Sequence, residues 1–164
     1  MKILFESEHI NFVNVSEDLI FDYLEMVNDI EVQKYISNNR HAYTYEDEVN
    51  WVKEKLKEKA LVFSMIEKDT DEFIGNIEIM DIKNNVAEMG ISITRRKQDK
   101  HFGEESIKRL IKYAFETLNL DALELNVFDF NPRGIRCYEK CGFKKDGSKG
   151  SHGEIHMIIK NTNK

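Results

Sequence analysis

Residues that can bind an anion or move a proton fall in three short stretches of the second half of the chain. Glu88 lies in an apolar stretch, residues 98–103 form a polar segment that ends in glycine before a helical pattern, and Tyr138 follows the Asn-Pro pair at Asn131. A carboxylate can accept a proton, a phenol can donate one, and the N–H groups at the start of a helix can hold an anion. These residue types have the chemistry for a site that combines anion binding with acid–base catalysis.

Each of these residues also has an ordinary structural interpretation. Glu88 fits a solvent-facing strand position, Tyr138 fits a core tyrosine on an amphipathic helix, and residues 98–103 fit a plain helix start. Asn131 is a helix cap, because proline at the first helical position follows it. Taken singly, Glu88 and Tyr138 favour the structural interpretation, whereas residues 98–103 are compatible with either.

Hydrophobic periodicity predicts the elements of the first half. Alternation predicts a strand over residues 10–15, and helical spacing predicts one or two short helices that end near residue 36. Thr44, with Asp47 three residues later, resembles a capping box that opens a helix of about four turns. Three β-like runs between residues 61 and 93 are separated by polar turn residues and predict an antiparallel meander.

The second half alternates helices and strands. The spacing after Gly103 predicts a long helix to residue 118, and residues 122–127 read as a strand. A strand, a helix and a strand in one sheet imply a parallel pair with a crossover. A further helix runs from Asn131-Pro132 to Gly142, and two last strands surround a Gly/Ser loop.

Composition excludes several classes of protein. The 164 residues carry a net charge of −6, and residues 1–60 hold 7 Lys/Arg against 13 Asp/Glu. Such an acidic surface disfavours binding to nucleic acid. No run of about 18 apolar residues occurs, so we expect no membrane span and no signal peptide. Cys137 and Cys141 are too few ligands for a metal site, and we expect a reducing cytoplasm.

Three segments together carry a family resemblance: residues 87–93, residues 98–103, and Cys-Tyr-Glu-Lys-Cys-Gly-Phe at 137–143 with its cap Asn131. They resemble the GNAT family of acetyl-CoA-dependent N-acetyltransferases, nearest the branch of ribosomal-protein and spermidine N-acetyltransferases. The resemblance implies an α+β fold, with a central mixed, mostly antiparallel sheet of about six or seven strands flanked by about four helices. It also implies one domain over residues 1–164.

The resemblance assigns roles to residues. It implies that the strand edge and loop hold acetyl-CoA, with the N–H of Ile91 facing the thioester oxygen. Tyr138 would protonate the departing thiolate, and Glu88 would take the amine proton. The implied cofactor-binding residues are Ile91, Ser92, Ile93, Gln98, Asp99, Lys100, His101, Phe102, Gly103, Glu104, Asn126, Asn131 and Arg133.

Two residues depart from the family pattern. His101 stands where the first glycine of the phosphate loop is expected, and Glu104 adds a carboxylate to the first helical turn. Against them, Arg95, Arg96, Lys97 and Lys100 are predicted to supply a positive field. These departures motivate an alternative function, a GNAT-fold binding or regulatory module without turnover.

The resemblance also implies partners. We expect the acceptor to be a small-molecule amine or a protein N-terminus, held by helices within the acidic residues 16–60, and no nucleic acid, membrane or metal. The parallel strands near residues 86–93 and 122–128 would splay to admit the cofactor. The family also leads us to expect a homodimer.

Overall fold

The computed structural model describes residues 1–37, 40–150 and 152–164. Eight strands and five helices occur in this part of the chain. The strands are β1 Ile3–Glu6, β2 Ile10–Asn14, β3 Leu61–Glu67, β4 Phe73–Lys83, β5 Val86–Ile93, β6 Ala122–Val127, β7 Lys144–Lys149 and β8 Ile155–Lys160. The helices are α1 Ile20–Asn28, α2 Ile30–Gln33, α3 Tyr45–Lys57, α4 Phe102–Lys112 and α5 Pro132–Lys140.

The strands follow the order β1-β2-β3-β4-β5-β6-β8-β7. β5 and β6 run parallel, whereas β1–β2, β2–β3, β6–β8 and β7–β8 pair antiparallel. The predicted mixed α+β class is confirmed, as is the parallel pair around a crossover. The predicted strand count was too low, because residues 3–6 form a strand that the sequence analysis did not assign.

The missed strand β1 depends on contacts with the neighbouring strands for its formation. Most of its side chains are exposed, and its apolar residues do not alternate with polar ones. Phe5 stacks on Phe12 of β2 with ring centroids 4.6 Å apart and meets Phe63 of β3 edge-on at 4.9 Å. These cross-strand contacts define β1.

The chain divides into two compact units, and the single-domain prediction stays a prediction. Unit 1 comprises residues 1–78 and 91–102, and unit 2 comprises residues 79–90 and 103–164. The core of unit 1 surrounds Tyr23, which is 1% exposed and makes edge contacts with the rings of Trp51 and Phe73. In unit 2 the buried residues come from helices and strands alike: Ile107, Leu110, Ala114, Leu123, Leu125, Ile135, Phe143 and Met157.

Two helix starts have the predicted capping. Thr44 accepts a hydrogen bond from the backbone N–H of Asp47 and its own N–H donates to the Asp47 carboxylate, which completes the capping box of α3. Asn131 accepts from the N–H of Gly134 at 3.0 Å, and Pro132 begins α5. After Lys112, α4 continues as a π-helical turn, Tyr113–Thr117.

None of the described helices is long and apolar enough to cross a membrane.

The hydroxyl of Tyr23 provides a test of the core of unit 1. It lies 2.6 Å from Ser64 Oγ and accepts from the backbone N–H of Ser16 at 3.1 Å. We expect Tyr23→Phe to lower the free energy of unfolding by about 1–3 kcal/mol, because it removes a hydrogen-bond partner from the buried hydroxyl of Ser64 and from the partly buried N–H of Ser16. Urea unfolding measures the change. Tyr45→Phe is the control, since Tyr45 is 50% exposed, and an equal loss in both variants would contradict the prediction.

Candidate active site

The last register pair of β5 and β6 places two carboxylates side by side. The strands pair at three positions, and the last pair is Glu88 opposite Glu124. Both residues are partly exposed, and register partners project from the same face of a sheet. β6 continues to Val127, but the described residues form no further pair with β5 beyond Glu124. The predicted base Glu88 therefore stands beside a second carboxylate that the sequence analysis did not single out.

The loop between β5 and α4 has an unusual backbone for residues with side chains. The side-chain amide of Gln98 donates to the carbonyl of Ile93 at 3.0 Å, which ties the loop to the end of β5. Asp99 and His101 have φ values of 59° and 70°, both in the left-handed region. His101, which replaces the expected glycine, is exposed and adopts the backbone conformation that glycine favours.

The first turn of α4 contains Glu104, the second residue that departs from the family pattern. Its carboxylate lies 3.0 Å from the ammonium group of Lys108, one turn later, and this hydrogen bond raises the pKa of Lys108. The carboxylate charge is thus partly compensated within the helix. Phe102, at the start of the helix, is buried. The backbone N–H groups of a first helical turn have no acceptor within the helix, so this segment can bind an anion.

The predicted positive field around the loop is wrong for Lys97. Its side chain is 8% exposed and contacts the carboxylates of Glu67 at 2.8 Å and Glu72 at 2.7 Å. Burial opposes the charge of Lys97, but these two hydrogen bonds outweigh burial and raise its pKa. Lys97 therefore holds the loop to the β3–β4 turn.

The neighbouring arginines also contact acidic residues. Arg96 lies 2.7 Å from Glu25, and Arg95 lies 3.9 Å from Asp29. Lys100 is exposed. Much of the predicted cationic field is thus compensated by acidic side chains, so the backbone N–H groups remain the candidates for binding an anion.

The predicted cofactor edge of β5 consists of Ile91, Ser92 and Ile93, all partly exposed. A glycine on β4 permits their close approach, because a Cβ added at Gly75 would collide with the carbonyl oxygen of Ser92. The sequence analysis did not assign this role to Gly75. The oxyanion role of Ile91 stays a prediction.

Helix α5 carries the predicted acid, Tyr138. The residue is partly exposed, and its ring meets that of Phe143 at a centroid distance of 6.2 Å. Desolvation by the surrounding protein raises the pKa of Tyr138 to about 12, and the thiols of Cys137 and Cys141 contribute less. The phenol therefore remains protonated at neutral pH, as a proton donor requires.

The remaining predicted residues lie in unit 2. Asn131 caps α5, and Arg133 and Asn126 are exposed. The amide oxygen of Asn126 faces Gly150, where an added Cβ would lie 3.2 Å away. Binding roles for these three residues stay predictions.

The sequence analysis missed His156 on β8. Its Nδ1 lies 2.7 Å from Asp146 Oδ2, and its Nε2 lies 3.1 Å from Glu124 Oε2. These residues are far apart in the sequence, and no spacing rule connects them. Among the described residues, no group of three or more His, Cys, Asp and Glu side chains is arranged to hold a metal ion.

Sequence comparison identifies the family. The acetyltransferase (GNAT) domain model matches residues 10–144. The chain belongs to the GNAT acetyltransferase family. The family prediction is thereby confirmed.

The relatives of this GNAT chain include two bacterial proteins. An uncharacterized N-acetyltransferase, p20, of Bacillus licheniformis is 33% identical over 63% of each chain. A spermidine N(1)-acetyltransferase of Vibrio cholerae is 34% identical over 51% of this chain and 49% of its own length. The chain thus matches less than two thirds of the length of either relative.

A solved structure supports the fold. Spermidine N-acetyltransferase from Vibrio cholerae, in complex with CoA and spermine, superposes with a TM-score of 0.82 at 21% identity, over 93% of this chain and 95% of the other. The GNAT fold prediction is confirmed.

The backbone at His101 yields a stability prediction. Left-handed backbone disfavours β-branched residues most and glycine least. We expect His101→Val to lower the free energy of unfolding by roughly 1–2 kcal/mol, and His101→Gly to leave it unchanged or raise it slightly.

The same pair of substitutions at Lys100, which does not have a left-handed backbone, is the matched control for urea unfolding. There, valine is expected to be at least as stable as glycine. An identical order at both positions would show that φ at residue 101 does not decide the effect.

Proposed function

We propose that this GNAT protein is an N-acetyltransferase that transfers the acetyl group of acetyl-CoA to a primary amine. The observation that carries the proposal is the left-handed backbone of His101 at the entry to α4. Glycine is the residue that favours this backbone conformation, which supports a role of the loop and the helix start in holding the pyrophosphate of CoA.

The chemistry needs one proton acceptor and one proton donor. A protonated amine must lose a proton before its nitrogen attacks the thioester carbonyl, and Glu88 would accept that proton directly or through water. The new C–N bond forms as the C–S bond breaks, and the departing sulfur takes a proton from the phenol of Tyr138. The acylated nitrogen then loses its second proton through water, which restores the phenol. No metal and no covalent enzyme intermediate is required.

The alternative function, a binding module without turnover, rested on His101 and Glu104. His101 retains the left-handed backbone, and Glu104 forms an ion pair with Lys108. Both departures are thus compatible with a bound phosphate. We therefore favour the enzyme.

We propose a polyamine as the first acceptor to test. Spermidine is the substrate named for one relative. In this chain, Glu48 on α3 is 5% exposed, and desolvation by burial raises its pKa, with a smaller contribution from Asp47. A carboxylate that burial disfavours gains more from an ammonium group beside it than an exposed one does. A protein N-terminus is the second acceptor class.

The proposal includes a cytoplasmic location and a homodimer. Two free cysteines, Cys137 and Cys141, support a reducing compartment. The dimer follows from the family resemblance, and light scattering of the purified protein tests it.

Calorimetric titration with acetyl-CoA, followed by thiol release with a panel of amines, tests the proposed function. We expect micromolar binding and amine-dependent release of CoA. No detectable binding at millimolar acetyl-CoA would contradict the proposal.

Removing the phenol of Tyr138 tests the proton donor. We expect Tyr138→Phe to lower kcat by about 100-fold or more, because the thiolate then leaves without a proton, while acetyl-CoA binding changes by less than about threefold. Tyr45→Phe is the control for kcat. Since the pKa of Tyr138 is about 12, wild-type kcat should show no loss of this proton between pH 8 and 10. Unchanged kcat in Tyr138→Phe would contradict the role.

Removing the charge of Glu48 tests the acceptor class. We expect Glu48→Gln to raise KM for spermidine by about tenfold and to leave acetyl-CoA affinity unchanged, because the ammonium group loses its partner. Glu54→Gln, an exposed position on the same helix, is the control. Equal KM values in the two variants would exclude Glu48 as an acceptor contact.

A further inference from the structure

A row of ionisable side chains crosses four neighbouring strands of unit 2. Glu88 on β5 is the register partner of Glu124 on β6. Glu124 contacts His156 on β8, and His156 contacts Asp146 on β7, at 3.1 Å and 2.7 Å. Three carboxylates and one imidazole therefore lie in sequence across the sheet, and the row begins at the proposed base.

The two contacts of His156 place a carboxylate beside each ring nitrogen. Both ring nitrogens face carboxylate oxygens, and only the imidazolium form can donate from both nitrogens. Asp146 stays ionised, because hydrogen bonds from Ser148, and then His156, lower its pKa to about 2. The His156 side chain is 17% exposed, so solvent screens its charge only in part.

The negative charge of Glu124 disfavours ionisation of Glu88. Two carboxylates on register partners repel each other, and each disfavours ionisation of the other. A positive charge beside Glu124 offsets this repulsion, and the imidazole of His156, 3.1 Å from the Glu124 carboxylate, is placed to provide it.

Other charged residues occur on the strands of the row and on β4, the other neighbour of β5. β4 carries Glu78, Asp81 and Lys83, and β8 also carries Lys160. On β7, Lys144 is the partner of Ile158 and projects from the same face as His156, while Lys145 and Lys149 are also exposed. Lys144 provides an exposed positive charge for comparison with His156.

We propose that His156 is a positioning residue, whose positive charge compensates Glu124 and so keeps Glu88 in the ionised form that can accept the amine proton. This inference rests on the proposed function. His156 touches no reacting atom; it acts through Glu124. Neither the family motif nor the sequence spacing points to it.

The pH dependence of kcat/KM with spermidine tests this role. On the acidic side of the pH profile, kcat/KM falls as Glu88 takes up a proton, and we call this fall the acidic limb. We expect His156→Gln to move the acidic limb to a higher pH by about one unit, because Glu124 is then an uncompensated anion. At pH values below the limb, kcat/KM should therefore be about tenfold lower than in the wild type. Activity should approach the wild-type value at high pH. His156→Lys retains the charge and should leave the limb near the wild-type position.

A double variant separates charge from structure. In Glu124→Gln/His156→Gln the anion and its compensating cation are both absent, so the limb should return to within about 0.3 pH units of wild type. Lys144→Gln, the exposed control, should move the limb far less than His156→Gln. The inference would be overturned if the acidic limb does not move in His156→Gln. It would also be overturned if the limb of the double variant lies at the same pH as that of His156→Gln.

The protonation state of His156 gives a readout that needs no activity. Nitrogen NMR of labelled protein, assigned with His156→Gln, should show the imidazolium form at pH 7.5, and a neutral ring there would overturn the inference. The outcomes also separate the two proposals. A wild-type protein that acetylates no amine contradicts the proposed function, whereas an active wild type with an unmoved limb contradicts only the role of His156.

Discussion

Parallel pairing of β5 with β6 is the constraint on which the site depends. Parallel neighbours cannot be joined by a tight turn, so the chain must leave the carboxyl end of β5 and return to the start of β6. The return requires the loop, α4 and its π-helical end, and it places a helix start at the carboxyl end of β5. Ligands of α/β sheets bind at such ends. The start of β6 is fixed in turn by the N–H of Asp121, which donates to the carbonyl of Asn85 at 2.8 Å.

Charge compensation is the second recurring feature. The chain has an excess of acidic residues, and the basic residues next to the loop contact acids: Lys97 contacts Glu67 and Glu72, and Arg96 contacts Glu25. A buried cation without such partners would be strongly disfavoured. The consequence is that the proposed anion site would rely on backbone N–H groups and loop conformation more than on a cluster of cationic side chains.

Local sequence signals predicted much of the fold. The capping box at Thr44, the Asn131-Pro132 start and the periodicity after Gly103 each depend on residues within a few positions of one another, and each helix lies where the signal placed it. The edge strands were harder. β1 lacks alternation, and β7 contains the lysines and glycine of a loop-like segment, so only pairing with β2 and β8 makes them strands.

The sequence by itself determined the helix caps, the order of the elements and the family motif, because these depend on neighbours in the chain. The tertiary structure alone decided which side chains meet across strands. Glu88 faces Glu124, His156 bridges Glu124 and Asp146, and Gly75 makes room for Ser92. These contacts depend on strand register, and register is set by pairing between segments that lie far apart in the chain.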